Sequence, residues 1–248
     1  MMVLDIAGNE LRRLFLSPLA WMVAAITQFL LAFFFIFMLI RFLEPGAWNA
    51  GQGLTSTVVA GTFQIAAMLL LLLAPFLTMR LFSEELRSGT MPLLLSSPVT
   101  LTELVLGKFL GMGAFFLCLL VLIAVMPLSL AAGTSLDMGH LAAGLFGLFL
   151  LLWAFAAIGL LISTLTAQPV VAAAGSFAAL FVFWIIHIGA HAGNEKLAAV
   201  LNWLSLQRHF QNLVEGLFSS VDVAYYLLLI LTCICLSIWR LETMRTHD

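Results

Sequence analysis

Residues 141–190 read LAAGLFGLFLLLWAFAAIGLLISTLTAQPVVAAAGSFAALFVFWIIHIGA and contain no Asp, Glu, Lys or Arg. A membrane span needs about 20 apolar residues. This stretch supplies two, at 141–165 and 170–190, with only Thr166–Pro169 between them. It therefore reads as a helical hairpin in lipid. Outward from it the pattern repeats, and further spans are expected at 19–42, 58–79, 109–132 and 223–239, six in all. Pro75, near the end of the second, is expected to bend that helix.

Composition agrees. Of 248 residues, 63% are hydrophobic and 9% charged, with a mean hydropathy of +1.16. Soluble domains are about 45–50% apolar and about 25% charged. Too few polar groups exist to coat a globular surface, so most of the surface must meet membrane lipid. A soluble enzyme, a disordered regulator and a nucleic-acid binder are excluded, and the net charge of −2 offers no basic field to nucleic acid. Six spans and their loops use up the sequence, which leaves one all-α membrane domain over 1–248. Cys118, Cys233 and Cys235 sit in apolar runs and read as small buried residues, not as a disulfide framework or zinc site.

Three segments are not spans. Residues 2–17 read as an amphipathic helix lying on the membrane, with Leu4, Ala7, Leu11, Leu14 and Phe15 on one side. Asp5, Asn9, Glu10, Arg12 and Arg13 fall mostly on the other, and Pro18 then redirects the chain. The acidic and basic residues before the first apolar run argue against a cleaved signal peptide. The loop Glu44–Thr57, with Pro45, Gly46, Gly51 and Gly53, is turn-rich, and Trp21 and Trp48 bracket the first span. Residues 194–222 are too polar to span and too apolar for a free loop. They read as short outer re-entrant helices dipping into the membrane edge.

With six spans both termini share a side. That side carries Arg12, Arg13, Arg80, Arg87, Lys108, Arg240 and Arg245, against Arg41, Lys196 and Arg208 on the other. The positive-inside rule places both termini in the cytoplasm.

Catalytic signatures are missing. Around Gly107-Lys108, Thr102 stands where a phosphate-binding loop needs its first glycine, and Phe109 where it needs a hydroxyl. No H-E-x-x-H or G-x-S-x-G occurs. Asp137, Glu195, Glu215 and Asp222 are expected in loops. His187 and His191 are spaced i,i+4, and His140 and His209 lie on the same outer side. Wet interfacial rings are the expectation for these histidines, and no metal is expected. The hydroxyls Thr27, Thr62, Ser163, Thr164, Ser176 and Thr232 are explained by bonds to the preceding turn or by helix packing. Gln28 and Gln64 need partners in lipid and read either as interhelical bonds or as cavity lining.

The only dense charge follows the second span: Arg80-Leu-Phe-Ser83-Glu84-Glu85-Leu-Arg87-Ser-Gly89-Thr90. A short helix is expected here, with Ser83 as its cap, Glu84 and Glu85 in its first turn, and Gly89 as its stop. It reads either as a solvated connector or as a lever fixed to the second span.

This loop, continued through Met91-Pro92-Leu-Leu-Leu-Ser-Ser-Pro98-Val-Thr100 to Gly107-Lys108, resembles the ABC-2 type (type-2 ABC exporter) permease pattern, F-x-x-E-x-x-x-G-T then L-L-x-x-P. The GldF-like gliding-motility permeases are the most similar subfamily. Glu10–Trp21, Ala156–Leu165 and Leu206–Asp222 agree with it, while Met91-Pro92 departs from its usual Leu-Glu pair. The resemblance implies a bacterial inner-membrane permease subunit without catalytic residues. A separate ABC ATPase would hold ATP and magnesium. A second permease copy, and a larger GldG-like membrane subunit, would complete the complex. Arg80, Ser83, Glu84, Glu85, Arg87, Gly89 and Thr90, within a coupling segment at 80–95, would meet the ATPase. Glu10, Arg12, Arg13 and Pro18 would belong to the connecting helix. The implied function is export or extrusion of an apolar or long-chain substrate. The alternative is a mechanotransmitter that drives an extracytoplasmic partner while nothing crosses.

Overall fold

A computed structural model describes residues 2–44, 53–91, 100–131, 133–134, 136–192 and 195–247. About 90% of the described residues are helical, and among them six helices are long and apolar enough to cross a membrane. The amphipathic α1 runs Met2–Leu16 and ends where Ser17 turns extended ahead of Pro18, the first residue of α2, Pro18–Leu43. A single π turn, Thr55–Val59, leads into α3, Ala60–Thr78, and α4 follows at Arg80–Ser88. The remaining helices are α5 (Leu101–Leu130), α6 (Met138–Leu165), α7 (Pro169–Ile185, extended by a 3-10 segment to Ala192), α8 (Glu195–Leu204), α9 (Leu206–Val214) and α10 (Ser220–His247). Pro45, Trp48 and residues 92–95 of the expected coupling segment lie outside the described residues.

The centre is α6, which touches α3, α4, α5, α7, α9 and α10. It is made narrow by small residues. A methyl group on Gly144 would stand 2.6 Å from the Phe63 ring, and one on Gly147 2.8 Å from Leu213. At the other end Gly159 lies so close to the Thr78 side chain that no Cβ fits. The Phe63–Gly144 and Thr78–Gly159 contacts run in the same order, so α3 and α6 are parallel neighbours along their whole length. Trp153 of α6 packs edge-on against Phe109 of α5, with ring centroids 5.1 Å apart. By contrast, only 22% of the apolar windows of α2 and α7 is buried, against 67% for α6, so the two outer helices present their sides to lipid.

Five of the six hydroxyls expected in the spans are spent locally, and the sixth, on Ser176, is buried with no hydrogen-bond partner among the described residues. Thr27, Thr62, Ser163, Thr164 and Thr232 each donate to a carbonyl three or four residues earlier, at 2.7–2.8 Å. Of the cysteines only Cys233 is buried; Cys118 and Cys235 are exposed on helix sides, because they fall on the faces of α5 and α10 turned away from the core.

Two sequence expectations shift. Helix α5 starts at Leu101, closed by a capping box in which Thr100 and Glu103 exchange bonds, so Lys108 is two turns inside a helix and not in a loop. At α4 the chain does not break before Ser83. Met79 keeps a right-handed helical conformation, the helix starts at Arg80, and the Ser83 hydroxyl is buried and bonds back to the Met79 carbonyl. Ser83 is thus not the cap. The π turn, α3 and α4 form one continuous rod, Thr55–Ser88, of 34 residues. Its length is about 51 Å at 1.5 Å per residue, more than the about 30 Å of bilayer hydrocarbon, so its charged end must protrude.

Gly159→Val should destabilise the protein by about 1–3 kcal/mol through overpacking, read as a lower thermal midpoint in detergent. Gly8, in α1, has open space around the position a side chain would take. Gly8→Ala should therefore stabilise the protein by about 0.5–1 kcal/mol, read as a higher midpoint.

Candidate functional site

Helix α1 lies along α5 because α5 offers it two glycines one turn apart. A Cβ on Gly107 would meet Ile6 at 2.6 Å, and one on Gly111 would meet the Ala7 carbonyl at 2.9 Å and Glu10 at 2.8 Å. The face of α1 that docks there holds Ile6, Ala7, Glu10 and Leu14, while Leu4, Phe15 and Leu16 are exposed. The polar side expected for Glu10 is corrected: its side chain points into the protein.

The reason is Lys108. Its side chain is 3% exposed, and its ammonium bonds Glu85 Oε1 at 2.5 Å and the Leu81 carbonyl at 2.6 Å. Glu10 Oε2 stands 3.7 Å away, and Nζ lies 5.0 Å from the centre of the Phe82 ring. A buried ammonium needs close partners to offset its lost hydration, and these come from two helices that otherwise share little. Arg13 of α1 extends the network outward, 2.6 Å from Glu84 Oε2 and 4.0 Å from Glu85 Oε1. The cluster holds two cations and three carboxylates. One oxygen, Glu85 Oε2, is buried without a hydrogen-bond partner.

The remaining side chains of α4 divide cleanly. Leu81 and Phe82 are buried, whereas Arg80, Arg87 and Thr90 are exposed. Arg80 lines a cavity of about 110 Å³ with Glu10, Arg13, Phe76 and Glu84. Gly89 ends the helix at φ 68°, a left-handed conformation that suits glycine, and the Thr90 N–H returns to the Glu85 carbonyl at 3.2 Å. Arg12 is exposed on α1.

Sequence reasoning missed Lys108 as a member of this site. A signal for it exists: Glu10 interrupts the stripe Ile6, Ala7, Leu14, and a carboxylate on a packing stripe calls for a buried cation.

A second polar knot ties the opposite end. His209 is buried rather than wet. Its Nδ1 stands 2.5 Å from Asp222 Oδ1 and its Nε2 2.9 Å from the Trp203 carbonyl. Asn212 donates to both Asp222 oxygens, and Tyr225 stacks on the imidazole at 4.1 Å. Asp222, expected in a loop, is the third residue of α10 and is 3% exposed. The correction follows from its partners, which draw it inward. Tyr225 and Tyr226 donate to the Leu204 and Leu206 carbonyls at 2.7 and 2.9 Å, so α8 and α9 are fastened to α10. His187 faces the Trp184 carbonyl at 3.1 Å. Among the described residues no three His, Cys, Asp or Glu side chains cluster as a metal site. Gln28 donates to the Leu122 carbonyl of α5 at 3.2 Å, whereas Gln64 lines a cavity between α2, α3, α7 and α9.

The family model described as ABC-2 family transporter protein matches residues 4–245. The chain belongs to this family. No curated protein matches the sequence. Membership makes the chain a multi-pass membrane component of an ABC transporter, the permease that works with an ABC ATPase subunit.

Lys108→Ala should cost about 3–5 kcal/mol, since it strands buried carboxylates. Arg13 and Glu84 are 47% and 42% exposed, and Arg13→Ala should cost about 0–1 kcal/mol. Denaturant unfolding in detergent separates the two; equal effects would mean that the buried pair does not hold the helices. Asp222→Ala should raise hydrogen exchange across α8 and α9 while leaving α1 and α4 unchanged.

Proposed function

We propose that this ABC-2 permease is GldF-like, sits in a bacterial inner membrane with both termini in the cytoplasm, and exports an apolar or long-chain substrate. Two copies pair, each under an ABC ATPase that holds the ATP and magnesium, and a larger GldG-like membrane subunit joins them. The charge network then faces the cytoplasm, as the positive-inside rule asks.

One observation carries the coupling mechanism. Helix α4 continues the second span as a single rod and is pinned through Lys108 to the third span and to α1. Closure of the ATPases on α4 pushes the second span along its axis, and the buried ion pairs transmit the same push to α5 and α1. Arg80, Arg87 and the outer carboxylate Glu84 are the groups left to meet the ATPase. Glu85 supports them from inside the protein. Among the hydroxyls expected in the spans, five bond their own backbone, which favours a second reading, the mechanotransmitter, where force crosses and no substrate does. Export predicts ATPase activity stimulated by lipophilic solutes, and force transmission predicts stimulation only by the extracytoplasmic partner.

The test is co-purification from native membranes in mild detergent. Arg87→Glu should release the ATPase, or uncouple its activity, by about tenfold or more, with the thermal midpoint of the permease unchanged because this side chain is exposed and outside the ionic cluster. Retention of a normally regulated ATPase by this variant would sink the proposed coupling role of α4.

A further inference from the structure

At the end away from the charge network, two cavities adjoin. The first, of about 270 Å³, is walled by Met38, Met68, Trp184 and Phe210 and carries three amides, Gln64, Gln207 and Gln211. No charged side chain lines it. The second is also about 270 Å³, shares Gln207 and Gln211, and adds Arg208 and Glu215. Together they form a cleft with an apolar half among the spans, an uncharged hydrogen-bonding waist, and an ionic mouth.

Helix α9 sets the mouth. Arg208 and Gln211 are spaced i, i+3 on one face of α9, and Glu215 caps the helix C-terminus and lines the same cavity. Gln211 Nε2 donates to Glu215 Oε1 at 2.9 Å, and the amide oxygen and the second carboxylate oxygen accept no hydrogen bond among the described residues. Arg208 makes no ion pair among the described residues. The mouth therefore offers a guanidinium, an amide about one turn along α9 and a carboxylate at the end of the helix.

We propose that this cleft binds one zwitterionic phospholipid bearing a primary ammonium. The phosphate lies on Arg208, which suits a guanidinium's forked donors. The ammonium donates to Glu215 and the Gln211 oxygen. The ester carbonyls accept from the amides at the waist, and an acyl chain follows Met38 and Met68, whose flexible thioethers adapt to it, and the Trp184 ring. A quaternary ammonium has no N–H for Glu215. An anionic headgroup without a cation leaves that carboxylate facing a phosphate. The site is independent of the transport reading, because a lipid is held here whether or not anything is exported.

The test uses the full chain with its co-purified subunits, delipidated in mild detergent, and native mass spectrometry with added phosphatidylethanolamine, phosphatidylcholine or phosphatidylglycerol. One phosphatidylethanolamine should be retained about tenfold more tightly than phosphatidylglycerol, a factor that equals about 1.4 kcal/mol. Arg208→Ala should weaken retention of phosphatidylethanolamine and phosphatidylcholine. Glu215→Gln should abolish the preference for the primary ammonium. Both side chains are exposed, so both variants should fold, and unchanged thermal midpoints verify this. Lys196→Ala, an exposed cation at the same end but outside the cleft, should change nothing. Equal retention of the three lipids, or a Lys196→Ala effect as large as that of Arg208→Ala, would overturn the site and leave only lipid held by the apolar surface.

Discussion

A lysine ammonium buried beside Phe82 cannot be left without partners, and much of the molecule is arranged around that constraint. Desolvating a charge costs several kcal/mol even after relaxation. Lys108 recovers it only if α1 brings Glu10 and α4 brings Glu85 and the Leu81 carbonyl to the same point. Gly107 and Gly111 let α1 approach closely enough for this. The ion pairs thus select one relative placement of three helices. Greasy surfaces alone would not, since lipid tails compete equally for an apolar helix face. The buried Glu85 oxygen with no partner indicates that the placement satisfies the cation first.

The two ends of the protein solve the same problem with different chemistry. At the base, long side chains reach across from separate helices, and the outermost pair, Arg13 with Glu84, is half in solvent. At the far end, His209, Asp222, Asn212 and Tyr225 are compact and close to their own backbones, so α8 and α9 are held flat against α10. Between them the packing around α6 is apolar and depends on glycines facing Phe63, Leu213 and Thr78. The polar clamps thus sit at the two ends, and the glycine-dependent apolar packing lies between them.

Much of this was legible in the sequence. Span number and order follow from apolar run length, and Gly89 and Pro18 mark a stop and a start because their backbone chemistry allows little else. What failed to show was where charge goes. Lys108 and Asp222 stand beside the ends of apolar runs, where a linear reading assigns charges to water. Their burial depends on partners 23 residues and more away for Lys108, and 10 and 13 residues away for Asp222. Ser83 misled for a local reason: a hydroxyl before two glutamates is a good cap, but a helix already running through Met79 has no free N–H groups there to cap.

The placement of the polar atoms also constrains where any substrate could pass. Thr27, Thr62, Ser163, Thr164 and Thr232 bond their own helices, and Gln28 is engaged with α5. Gln64 alone of the two amides faces a cavity, and that cavity opens toward α2 and α7, the helices with most surface left uncovered. A solute crossing here would therefore travel beside the helix bundle rather than through it, with one wall made by this chain and the other by lipid or a second copy. Such a path accepts molecules that tolerate hydrocarbon along their length. That is the same selectivity that the cleft between α2, α3, α7 and α9 would impose at its outer end.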